Sequence, residues 1–127
     1  METYTLPLDL TIDTSFYERE LPTLIHKIKN DCSWKMGNLK SVVIVNKAFK
    51  QVVLTALHPQ TEIQSKQKDN WVNFHILDGC VKIRIQKQTT TLERGQKFTL
   101  YDKVKYSLEA INETFLLITI SPLMNNR

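Results

Sequence analysis

Apolar and polar residues alternate in short runs from about residue 38 to the C-terminus, the period-2 signature of half-buried strands. In "WVNFHIL", Val72, Phe74 and Ile76 fall on one side, and Trp71, Asn73 and His75 on the other. In "VKIRIQK", Val81, Ile83 and Ile85 point one way while Lys82, Arg84 and Gln86 point the other. "KSVVIVNK" and "QVVLTALH" are rich in β-branched residues, which suit a pleated sheet. "TTTLERGQKFTLY", "KYSLEAI" and "TFLLITI" supply further strands, with turns at Glu93-Arg94-Gly95 and Ile111-Asn112-Glu113. Asp78-Gly79 predicts a tight hairpin between two of these runs. Short strands separated by turn signals predict an all-β sandwich or barrel, with no βαβ units.

One segment carries a helical period instead. Leu21, Leu24, Ile25 and Ile28 recur at i, i+3, i+4 and i+7, making one apolar face. Ser15 and Glu18 match a capping box, but Pro22 disfavours helical geometry at Leu21. The predicted helix therefore starts at Pro22, where the first turn tolerates a missing N–H, and ends near Asn30. Trp34 follows as a candidate core residue and Gly37 as a turn.

Composition narrows the class. A chain of 127 residues with 42% hydrophobic and 24% charged content is that of one folded domain rather than a disordered segment. The net charge of +4 permits anionic partners. The lysines are interspersed with acids, however, so no basic stripe argues for nucleic acid. No apolar run reaches the ~20 residues of a membrane helix, and the N-terminus lacks the pattern of a signal peptide. Cys32 and Cys80 form no C-x-x-C pair and suit reduced thiols in a cytoplasmic protein.

From Gln60 to Ala110 the sequence resembles a cupin. Two motifs mark that family, G-x5-H-x-H-x3-4-E-x6-G and G-x5-P-x-G-x2-H-x3-N. The end of the first matches Gly79 in "HILDG", and the start of the second matches Gly95 in "LERGQ". Counting from those anchors puts Lys66 and Lys68 at the two histidines and Val72 at the glutamate. It puts Tyr106 at the histidine of the second motif. The resemblance implies a double-stranded β-helix, or jelly roll, over residues 38–121. An extension over residues 1–37 would carry the helix around 22–30, and residues 122–127 would form a tail. Metal-bound members hold one divalent ion on those four positions. Here none of the four is an imidazole or a carboxylate, and two lysines would repel a cation, so no metal or other cofactor is expected.

No substitute constellation is legible. His26, His58 and His75 are the only histidines, and in this frame they do not converge. Cys80 has no activating neighbour in sequence, and three glycines make no phosphate loop. No catalytic residue is assigned. The candidate ligand contacts at the barrel mouth are Lys66, Lys68, Tyr106 and Glu62. The lysines would bind a small carboxylate or phosphate as point charges, and Tyr106 would donate a hydrogen bond. The competing reading makes "QSKQKDN" a solvated connection with both lysines in water. The expected function is a non-enzymatic, metal-free module that binds a small molecule or a partner, as a homodimer. The alternative is a metal-independent enzyme at the barrel mouth, with isomerase, epimerase or lysine-assisted acid–base chemistry. Neither nucleic acid nor a membrane is an expected partner.

Overall fold

The alternating segments become two antiparallel sheets in the computed structural model, which describes residues 20–122. The strands are β1 (Leu39–Lys47), β2 (Lys50–Leu57), β3 (Glu62–Gln64), β4 (Asn70–Asp78), β5 (Cys80–Ile85), β6 (Gln88–Glu93), β7 (Lys97–Tyr101), β8 (Tyr106–Ala110) and β9 (Thr114–Pro122). One sheet runs β1-β2-β9-β4-β7 and the other β3-β8-β5-β6. Residues 39–122 are thus all-β in two sheets, as the alternation predicts, with the jelly roll that the resemblance implies.

Two units divide the chain, residues 1–35 and 36–127. The first carries a helix over residues 20–29, α1, and most of a second, α2 (Cys32–Met36). On α1 the predicted face is the covered one: Leu21 and Ile28 are buried, and Leu24 and Ile25 half-buried. Leu21 is helical even though Pro22 follows it; the proline effect is a preference, and burial of an apolar side chain, about 1.5–3 kcal/mol, outweighs it. Asp31 caps α2 through Oδ1, which accepts from the Ser33 N–H and Oγ–H, both at 2.8 Å. Trp34 is buried. The Ser15–Glu18 capping box lies outside the described residues. Among the described residues no helix is long and apolar enough to cross a membrane.

In the second unit, register decides which side chains fill the space between the sheets. Val72, Phe74 and Ile76 of β4 face Leu100, Phe98 and the β9 residues Ile120, Ile118 and Leu116. From the other sheet come Val81 and Ile83 of β5, Leu92 of β6, and Leu108 and Ala110 of β8, all buried in the same cluster.

Asp78-Gly79 is not a hairpin. β4 and β5 belong to different sheets, so Gly79 is a corner where the chain changes sheet. A bulge between Ile76 and Asp78 bends β4 into it. Gly79 has φ +102°, and a Cβ there would run into the Glu113 carbonyl and the Thr114 backbone. The fully buried Thr114 ties this corner to the one between β8 and β9. Its hydroxyl accepts from the Cys80 N–H at 3.2 Å, and the Ile111 N–H reaches the Cys80 carbonyl at 2.8 Å. The true two-residue hairpins are Ala48-Phe49 between β1 and β2 and Gln86-Lys87 between β5 and β6.

Candidate functional site

Tyr106 begins β8 opposite Ile85 of β5, on the inward parity shared with Leu108 and Ala110. Its ring packs edge-to-face on Phe74, with centroids 5.7 Å apart at 75°, and only 7% of the residue is exposed. Its hydroxyl hydrogen-bonds the Asp102 carboxylate, itself 4% exposed. Burial first, then the charge of Asp102 and the bond to it, raises the phenol far above its ordinary range. Tyr106 therefore keeps its proton at neutral pH and acts as a hydrogen-bond donor, not a base. One Asp102 oxygen, Oδ1, is buried with no partner.

Ser65 stands opposite Tyr106. Its N–H donates to the Tyr106 carbonyl at 3.0 Å, continuing the register in which Gln64 faces Ser107. That parity sends Ile63 and Ser65 inward, and the Ser65 Oγ is buried without a partner. Lys66 and Lys68 are exposed, on the irregular segment 65–69 that leaves β3. The spacing of the first cupin motif explains the difference. Three residues before Val72 put its histidines at Lys66 and Lys68; four put them at Ser65 and Gln67, and the strand pairing follows the second count.

The outward face of the four-stranded sheet holds a cleft of about 360 Å³. It is lined by Glu62 and Gln64 of β3, Arg84 and Gln86 at the end of β5, and Lys105, Tyr106 and Ser107 around the start of β8. Glu62, Gln64, Arg84 and Ser107 share the outward parity of their strands, and Gln64, Ser107 and Arg84 are aligned across neighbouring strands. Tyr106 lies between Lys105 and Ser107 and turns its ring to the core. The structure thus brings two of the four predicted contacts, Glu62 and Tyr106, to one cleft and leaves Lys66 and Lys68 outside its lining. The cations in it are Arg84 and Lys105. Alternation in "VKIRIQK" marks Arg84 as outward, but its meeting with Lys105 depends on a pairing twenty residues along the chain. Asp102 was equally hidden, in the turn after β7.

The positions that hold the ion in metal-bound cupins do not fit one here. Val72 is buried and has no lone pair; by either count the two histidine positions, Lys66 and Lys68 or Ser65 and Gln67, hold no imidazole or carboxylate; and Tyr106 is a protonated phenol engaged with Asp102. Among the described residues no three His, Cys, Asp or Glu side chains converge to hold a metal. His58 closes the turn after β2, where its N–H reaches the Asn38 carbonyl at 3.1 Å, and His26 is exposed on α1. His75 points outward from β4, and partial burial, with Lys97 opposite it, lowers its basicity. Cys80 is a half-buried free thiol at the corner.

No protein-family model matches the sequence, and no curated protein is significantly similar to it. Solved structures do resemble the fold. A cupin 2 conserved barrel domain protein from Leptotrichia buccalis superposes with a TM-score of 0.64 at 20% identity, over 67% of this chain and 41% of that one. A conserved protein of unknown function from Streptococcus pyogenes gives 0.62 at 18%, over 68% and 76%. The cupin domain of Schizosaccharomyces pombe Cnp3 gives 0.61 at 17%, over 67% and 65%. The jelly-roll topology, the glycine corner and these superpositions together establish that the chain has the cupin fold.

Proposed function

We propose that the protein is a metal-independent binding module of cupin fold, which takes a small anionic ligand in the cleft of the four-stranded sheet. The observation that carries this reading is that Arg84, aligned with Ser107 across β5 and β8, lines one cleft with Lys105 and the Gln64 and Gln86 amides. A guanidinium fork with a nearby ammonium suits a phosphate or carboxylate, and the amides and hydroxyl complete its hydrogen bonds. Glu62 closes the other end of the cleft and favours a ligand with a donor group there. Lys66 and Lys68 follow Gln64 in the chain and add long-range attraction, which salt screens.

Calorimetric titration with inorganic phosphate and with citrate tests it. Binding of at least one is expected, weakening with salt and falling more than tenfold in Arg84→Ala/Lys105→Ala, since a charge-assisted hydrogen bond contributes about 1.5–3 kcal/mol. Equal affinity in the double variant would place the ligand elsewhere.

The enzymatic alternative rests on the Asp102–Tyr106 pair, but a phenol that holds its proton this firmly is a poor general base. The two free thiols suit the reducing cytoplasm. A second copy of this chain is the expected partner. Among the described residues β1 pairs only with β2, and its residues Leu39, Ser41 and Val43 are exposed, with Val43 at 52%. An edge strand with apolar exposure invites pairing. Light scattering should give twice the 14.8 kDa of the chain, and Val43→Lys should return the monomer; a wild-type monomer at high concentration would remove the dimer.

A further inference from the structure

We infer that the outward face of β4 and β7 is a stacking platform for a neutral saccharide, built from Trp71 and Tyr101 and framed by Asp69, Lys103, Asn73 and Thr99. This surface lies on the five-stranded sheet and is independent of the anion cleft. Trp71 is 39% exposed, a large aromatic surface left in part to water. It pairs across the strands with Tyr101, their ring centroids 5.4 Å apart and their planes tilted by 41°. Val104, 38% exposed, extends the apolar surface past the end of β7, where its N–H reaches the Tyr101 carbonyl at 3.0 Å.

The rings are held in place before any ligand arrives. The Tyr101 hydroxyl donates to Asp69 Oδ1 at 2.6 Å, and Lys103 Nζ lies 3.4 Å from the same oxygen. One step along the strands, the Asn73 amide donates to Thr99 Oγ1 at 2.6 Å. This leaves the Thr99 hydroxyl proton and the Asn73 carbonyl to face outward, about 7 Å from the ring pair. A pre-ordered aromatic surface loses little entropy on binding.

The chemistry of the frame selects the ligand. A pyranose presents an apolar C–H face, which stacks on indole and phenol rings, and a rim of hydroxyls that both donate and accept. Carboxylate, amide and hydroxyl groups within one residue spacing of the rings match that rim. Bases of single-stranded nucleic acid also stack on aromatic rings, but such sites line their rings with unpaired cations. Here the Lys103 ammonium beside the rings is matched by the Asp69 carboxylate, 3.4 Å away. Among the described residues β7 is an edge strand, which leaves room for a chain of sugars to continue past it.

Affinity electrophoresis through gels containing xylan, glucomannan, amylopectin or hydroxyethylcellulose tests this. Retardation is expected in at least one gel, abolished by Trp71→Ala and reduced at least tenfold in apparent affinity by Tyr101→Ala. Far-ultraviolet circular dichroism should be unchanged in both variants, since both rings lie on the surface. Oligosaccharides of the retarding type should change the tryptophan emission of the wild type, and Trp71→Ala, which keeps the emission of the buried Trp34, should show no such change. No retardation in any gel would overturn the proposal, as would equal retardation of Trp71→Ala. Binding of single-stranded oligonucleotides or proline-rich peptides in place of polysaccharide, lost in Trp71→Ala, would assign the platform to those partners and overturn it as well.

Discussion

Gly79→Ala is expected to lower the unfolding free energy by about 3–5 kcal/mol, a large part of the roughly 5–15 kcal/mol that holds an ordinary domain together. Two costs combine. An alanine at φ +102° is strained whatever space it has, and its methyl would meet the Glu113 carbonyl and the Thr114 Cα, the latter at 2.7 Å. Neither neighbour yields cheaply, because the Thr114 hydroxyl ties both corners together. Urea denaturation measures the loss directly. Gly95→Ala is the internal comparison: its φ is +89°, but nothing lies within 4 Å of the added Cβ, so only the backbone strain remains. A Gly79→Ala no worse than Gly95→Ala would contradict the close approach of the corners.

Val72→Glu, which restores the residue type of the metal-bound family, is expected to cost about 3–5 kcal/mol at pH 7.5. The position is 4% exposed in an apolar cluster with Phe74, Leu100 and Tyr106, so a carboxylate there would be buried without a counter-charge. Burial raises the folded-state pKa of such a group above its unfolded value of about 4.3. The penalty is therefore absent below that unfolded value and grows as pH rises through the folded one. Denaturation at pH 5.5 should show a smaller loss than at pH 7.5. Recovery of stability on adding zinc, nickel or manganese would instead mark position 72 as a working ligand site.

The strands were readable because each buries one face. Strict alternation around Val72, Phe74 and Ile76 and around Val81 and Ile83 sets both the period and the inward parity. Which strands pair was less accessible, since it depends on contacts far apart in sequence. Asp78-Gly79 carries the residues of a hairpin turn, yet it joins two sheets. Local turn chemistry asks only for a left-handed glycine, and a corner satisfies that as well as a hairpin does. The candidate site was legible in part. Glu62 and Tyr106 do line one cleft, because β3 pairs with β8. Lys66 and Lys68 do not line it; the spacing before Val72 tolerates one residue more, and one residue reverses the direction of every side chain in an extended segment. Alternation marked Arg84 only as outward, and Lys105 and Asp102 carried no local signal. Their roles come from cross-strand alignment and from burial, neither of which a single strand displays.

The most direct test of metal-independent binding in the outer cleft is one titration run twice. Inorganic phosphate is titrated calorimetrically into the protein as purified and into the same protein stripped with EDTA. The account predicts the same dissociation constant in both, because Arg84 and Lys105 supply the charge. Binding that disappears on stripping and returns with a divalent ion would contradict it.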